Sequence, residues 1–282
     1  MNFSSDNSYG ATPEILKALS DCNAGAEDSY GEDIYTKRAS DMIKALFEAP
    51  DAKVFLTATG TAANSIALAT LVEPWSSIYA HQDAHIHVNE SGAPEFYTGG
   101  AKIIPCDGAH GKISTESLSA QLSRNLNPDI HSVLNGCLEL TNLTEAGTLY
   151  TLKEQHVLAN QAHDAGMKVF LDGARFANAA VALDVTPAEM SWKSGVDVAV
   201  FGGTKNGLAF GEAVVIFNPE LADQFERRRK RGGHLLSKGR YLGAQFCTYL
   251  ENDNWKKWAR NANQSMADIS HALKKIDGVE IL

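Results

Sequence analysis

Short apolar runs alternate along this chain with longer stretches whose apolar residues recur at helical spacing. Residues 53–56 (KVFL), 77–80, 101–105, 132–140, 168–171 (KVFL again), 197–201 (DVAVF) and 213–217 (AVVIF) predict strands. Between them, 62–71 is rich in Ala and Leu, 114–124 opens on Ser-Thr-Glu and keeps Leu118 and Leu122, and 152–165 runs up to Gly166; these predict helices. Runs apolar on both faces and separated by helices imply an α/β fold, a mostly parallel central sheet with helices on both faces. After residue 219 the pattern turns charged and helical: 220–231 ends in RRRKRGG, a solvated face by its charge, and 241–276 reads mostly as helix. Gly278-Val-Glu-Ile-Leu then predicts the start of another strand. The organisation expected is a large domain over 1–240 with an N-terminal arm, and over 241–282 the start of a small, incomplete C-terminal α/β domain.

Composition narrows the function. The chain has 282 residues, 44% hydrophobic and 21% charged, ample for a large core and unlike a disordered composition. Lys and Arg number 25 against 34 Asp and Glu, and the net charge of −9 argues against nucleic acid or an anionic membrane as partner. No apolar run approaches the roughly 18 residues of a membrane span. The opening MNFSSDNSYG lacks the basic start of a signal peptide. Cys22, Cys106, Cys137 and Cys247 are far apart, with no metal-site spacing, although their even number leaves a disulfide pair open. A reduced, soluble, cytoplasmic protein is the expectation.

Three segments carry candidate chemistry. Thr59-Gly-Thr-Ala-Ala-Asn-Ser joins a strand to a helix whose first N–H groups lack partners, so Gly60 and Thr61 could cradle a phosphate or simply cap the helix. Phe170-Leu-Asp-Gly-Ala-Arg ends a strand where open α/β sheets bind ligands. There Asp172 and Arg175 are either an ion pair with each other, or receivers of a ligand's protonated nitrogen and its carboxylate. Val200-Phe-Gly-Gly-Thr-Lys-Asn-Gly sets Lys205 among glycines just after a strand. A sheltered amine of this kind forms Schiff bases with carbonyls.

Together these parts are what a pyridoxal-phosphate enzyme needs: an anion cradle, an acid for the ring nitrogen and a lysine. With Phe3-Ser-Ser-Asp-Asn, Tyr30-Gly-Glu-Asp, Ala84-His-Ile and Glu90-Ser-Gly-Ala-Pro-Glu-Phe, the chain resembles the threonine aldolases of the β-eliminating lyase group, in the aspartate-aminotransferase-like fold. The resemblance implies pyridoxal 5'-phosphate held covalently by Lys205. It implies Asp172 on the ring nitrogen, Gly60 and Thr61 on the phosphate, and His85 stacked on the ring face. Arg240 is implied as a further phosphate ligand across a subunit interface. Arg175 and Ser5 would take the substrate carboxylate, with Tyr30 near the site from the neighbouring subunit. Lys205, His85 and Asp172 are the implied catalytic residues, and the assembly is a dimer or dimer of dimers.

The implied reaction is retro-aldol cleavage of L-threonine, L-allo-threonine or a related β-hydroxy-α-amino acid to glycine and an aldehyde. Another outcome on the same cofactor, β-elimination or racemisation, and a non-catalytic binding protein of the same fold are the alternatives. The pattern departs from the family in one informative place. Asn142, in Glu139-Leu-Thr-Asn-Leu-Thr-Glu-Ala-Gly, stands where many members have a second active-site histidine. His85, or a water near Asn142, is then left to accept the β-hydroxyl proton. Members also run further at the C-terminus, where they supply a second arginine for the substrate carboxylate.

Overall fold

The computed structural model describes residues 5–124 and 129–281. The apolar runs form strands β1 (Lys53–Thr57), β2 (Ser76–His81), β3 (Lys102–Cys106), β4 (Leu134–Thr141), β5 (Lys168–Asp172), β6 (Val198–Gly202) and β7 (Glu212–Ile216). They make one sheet of order β1-β7-β6-β5-β4-β2-β3. Neighbours from β3 across to β6 pair in parallel, whereas β7 is antiparallel to both β6 and β1. One reversed strand in a parallel sheet leaves the α/β expectation intact.

Alternation along the strands builds two cores. Val169, Leu171, Ala199, Phe201, Ala213 and Val215 face one side; Phe170, Val198, Val200, Val214 and Ile216 face the other. Helices α1 (Pro13–Asp21), α2 (Ile34–Leu46), α6 (Thr115–Ser123), α7 (Leu152–Asp164), α8 (Phe176–Leu183), α10 (Arg240–Leu250) and the start of α11 (Asn254–Leu273) bury apolar residues in the first core. Helix α3 (Gly60–Leu71), the short α4 (His85–Val88) and α9 (Ala222–Arg231) bury theirs in the second, and α5 (Ala93–Thr98) packs beside α3.

Local sequence explains the helix starts. Thr151 and Glu154 form a reciprocal capping box at α7, and Asp33 and Thr59 cap α2 and α3. Helices α1 and α2 are strongly amphipathic, whereas α8 escapes a reading by periodicity. Helix α8 is Ala-rich and mean-apolar, so no polar stripe marks its outer face.

Two readings change. Arg229, within the basic run, is buried: its Nη1 donates to Leu56 O at 3.1 Å and its guanidinium lies 5.1 Å from the Phe55 ring centroid. The apolar stem and planar head fit a packed site that a lysine would not. Residues 278–281 join no strand, because no ladder partner lies beside them, and Leu282 lies outside the described residues. All four cysteines are buried and unpaired. Among the described residues, no helix is long and apolar enough to cross a membrane and no side-chain group is arranged to hold a metal ion.

Phe201 is the hub of the larger core. Its ring lies 5.4–5.8 Å from those of Phe47, Phe176, Tyr249 and Trp255, joining β6 to α2, α8, α10 and α11. Phe201→Ala is expected to lower stability by about 3–5 kcal/mol, read from a urea unfolding midpoint. A loss under about 1 kcal/mol would mean that the surrounding rings close the gap.

Candidate active site

The carboxyl ends of β1, β4, β5 and β6 converge with the N-terminus of α3 around a cavity of about 280 Å³. Gly60, Thr61, His85, Asp172, Arg175 and Lys205 all line it. Chain segments far apart in sequence therefore meet where an open α/β sheet binds its ligand.

Asp172 closes β5 with its side chain nearly out of solvent. A charge there must be met by donors. Asn64 Nδ2 donates to its Oδ2 at 2.8 Å and Ala174 N to its Oδ1 at 2.9 Å. The same Asn64 amide donates to Glu90 Oε1 at 2.8 Å, and Glu90 Oε1 is also 2.7 Å from His85 Nδ1. A continuous chain thus runs from Asp172 through Asn64 and Glu90 to His85. The Glu90 bond raises the His85 pKa above 6.5, against the opposing pull of burial. Asn64 Oδ1 and Glu90 Oε2 are buried without a donor.

Lys205 sits in the turn Thr204–Asn206 after β6. Asn206 ties this turn to the far core, donating to Tyr249 Oη at 2.7 Å and Trp255 O at 2.9 Å. The flanking glycines serve the loop itself. At Gly203 a Cβ would stand 2.4 Å from Leu208 Cδ2, and Gly207 has φ +105°, open to glycine but strained for other residues. Glu212, buried on β7, accepts from Gly203 N at 2.9 Å. Burial pushes its carboxyl up to about 7, although Thr204, Gly203 and Lys205 pull it down.

Arg175 does not pair with Asp172. Its Nε donates to Asp6 Oδ2 at 2.8 Å, so a residue of the N-terminal arm holds it at the cavity rim. Ser5 caps the turn Asp6–Ser8, its Oγ accepting from Asn7 N at 3.2 Å. It lines an adjoining cavity that shares Leu143, Glu145 and Arg175 with the first. Phe3 and Ser4 of that segment lie outside the described residues.

Arg240 and Tyr30 do not line the cavity. Arg240 Nη1 donates to Cys22 O at 3.1 Å and Gly25 O at 3.2 Å, while Lys230 Nζ lies 4.2 Å from the centroid of the exposed Tyr30 ring. Asn142 is buried too, its Nδ2 donating to Tyr150 O and its Oδ1 accepting from Tyr150 N, and it does not line the cavity. The loop instead presents Thr141 and Glu145. Glu145 Oε1 accepts from His85 N at 2.8 Å and from Thr141 Oγ1 at 3.2 Å.

The residues fit pyridoxal phosphate. The N–H groups of Gly60 and Thr61 open a helix with no acceptor of their own, and a Cβ at Gly60 would meet nothing within 4 Å, which leaves room for an anion. A buried carboxylate and a lysine complete the donor and acceptor set in the same cavity. Sequence reading missed Asn64, Glu90, Glu145 and Glu212. Of these, the spacing of Asn64 and Glu90 within the quoted strings was the one available signal.

This sheet, with its ligand cavity at the strands' carboxyl ends, is that of the type I pyridoxal-phosphate-dependent enzymes. A methionine aminotransferase from Escherichia coli shares the fold at a TM-score of 0.73 and 13% identity, over 95% of this chain and 71% of that one. The chain belongs to the β-eliminating lyase family, whose profile matches residues 2–281. A low-specificity L-threonine aldolase of Pseudomonas aeruginosa is 41% identical over 281 residues, 99% of this chain and 80% of its own. The threonine aldolase of Leishmania major superposes at a TM-score of 0.90 with 31% identity, over 96% of this chain and 78% of that one.

Glu90→Gln removes the main cause of the raised His85 pKa. The imidazole should then titrate lower in an NMR pH series on cofactor-free protein; an unmoved titration would assign the shift elsewhere. A His pKa raised by folding stabilises most below its unfolded value, near 6.5, and the gain is lost as pH rises through the folded value. The variant's stability deficit should therefore be larger in mild acid than in alkali.

Proposed function

We propose that this chain is an aldehyde-lyase that cleaves β-hydroxy-α-amino acids, L-threonine and L-allo-threonine among them, to glycine and an aldehyde. Pyridoxal phosphate would be held covalently on Lys205. The observation that carries this reading is the meeting of Lys205, Asp172 and the open N-terminus of α3 in one cavity, in a chain 41% identical to a low-specificity L-threonine aldolase. When bound, the cofactor supplies an electron sink for the pair released at Cα.

The chain's residues divide the remaining work. Gly60 and Thr61 offer N–H groups, and Thr61 a hydroxyl, to the phosphate. Asp172, anchored by Asn64 and Ala174, would meet the ring nitrogen and favour its protonated form. His85, oriented by Glu90, would lie against the ring face. Arg175 takes the substrate carboxylate, with Ser5 from the adjoining wall; this clamp selects which bond at Cα faces the ring. Such positioning is worth several kcal/mol of barrier.

The phosphate is dianionic. Among the described residues lining the cavity, the cationic side chains are His85, Arg175 and Lys205, each with another task here. Arg240, held outside its own cavity, then serves a neighbouring copy, with Tyr30 at the same seam. The assembly is a dimer or a dimer of dimers with shared sites. Four buried, unpaired cysteines fit a reducing, cytoplasmic setting.

Purified protein should release acetaldehyde and glycine from L-threonine and show a visible band that borohydride abolishes. Ammonia in place of acetaldehyde would point to elimination instead. Lys205→Ala should lose the reducible band and nearly all turnover while remaining folded; a retained band would overturn the assignment. Sedimentation of the active protein should give a dimer or larger, and a fully active species of 30.4 kDa would refute the shared site.

A further inference from the structure

We propose that Glu145 accepts the β-hydroxyl proton of the substrate at the junction of the two cavities; this rests on the retro-aldol reading above. Asn142 is consumed by the Tyr150 backbone. His85 commits Nδ1 to Glu90 and is one wall of the site. The carboxylates that line the cavity differ in what they have left. Asp172 is bonded through both oxygens, to Asn64 and Ala174, and has the ring nitrogen to meet in the reading above, while Glu212 accepts from the backbone of the lysine loop. Glu145 accepts through Oε1 from His85 N and Thr141 Oγ1, and its own N–H lies beside the carboxylate; of the three it is the one that also lines the adjoining cavity.

Position favours the same residue. Glu145, Leu143 and Arg175 are common to both cavities. A substrate whose carboxylate is on Arg175 has its β-carbon in reach of this junction, and the adjoining cavity offers its substituent a way out. Although the residue as a whole is exposed, its Oε1 is held against the His85 backbone and Thr141, which partly desolvates the carboxylate. That desolvation, with the Asp172 charge behind it, raises the Glu145 pKa above the usual carboxylate range, toward that of an effective general base. Burial holds the neighbouring Glu139 carboxyl, linked through Thr141 Oγ1, still further up.

The step balances. The hydroxyl O–H bond breaks and its proton goes to Glu145. The oxygen's pair becomes the second C–O bond of the aldehyde as Cα–Cβ breaks, and that bond's pair stays on Cα. Solvent at the exposed rim then takes the proton from Glu145.

Glu145→Gln tests this, because an amide oxygen still accepts from His85 N and Thr141 but cannot take a proton. Turnover of L-threonine should fall by about 10²–10⁴-fold. Exchange of glycine's α-hydrogen in D₂O, which involves no hydroxyl, should stay within about threefold of wild type. Titration of the cofactor-free protein with pyridoxal phosphate should give an unchanged affinity. Threonine turnover within about threefold of an active wild type would overturn the proposal, as would loss of exchange and cofactor affinity together, the mark of a structural role. A wild type that exchanges glycine yet releases no acetaldehyde would overturn the retro-aldol reading itself.

Discussion

Asp172 ends a strand buried on both faces, and its carboxylate has to be satisfied where water does not reach. The Asn64 amide meets that demand from α3 and extends it to Glu90, which in turn fixes His85. One hydrogen-bond chain thereby sets the distance between the helix that opens the anion cradle and the strand that carries the acid. Remove the amide and two buried carboxylates lose a donor at once, a far larger cost than that of one bond. The site's precision and the local stability of the β5 end therefore have a common origin.

The lysine side of the cavity is built on the opposite principle. Lys205 is held by what lies behind it. Asn206 reaches through to Tyr249 and Trp255, both packed on Phe201, so the aromatic core sets the position of the turn. The N-terminal arm closes the arrangement, with Thr12 N donating to Gly207 O at 3.0 Å and Asp6 receiving Arg175.

Strands β1 to β7 were legible because buried parallel strands are continuous apolar runs, and Lys205, Asp172 and Gly60 because their neighbours are unusual. The reversal of β7 was not legible, since an apolar strand reads alike in either direction. Arg175 and Asp6 pair across 169 residues, a distance over which no local pattern speaks. Glu145 and Asn142 are three apart in a loop, and nothing in their types tells which turns inward. The fold decides it by giving Asn142 to the Tyr150 backbone. Arg229 shows the same limit: a run of basic residues looks solvated until one packs on Phe55.

The strand order has a consequence for how the molecule comes to exist. β1, which leads into the cradle, is among the first elements synthesised, yet its ladder partner is β7. Until the ribosome has delivered residue 216, β1 has no ladder partner and the strand that brings Glu212 to the cavity wall is incomplete. Such long-range pairing is slow and leaves a nascent chain with sticky strand edges. A chain stalled before β7 already holds Lys205, yet its β1 and the turn into α3 have no ladder to hold them in place.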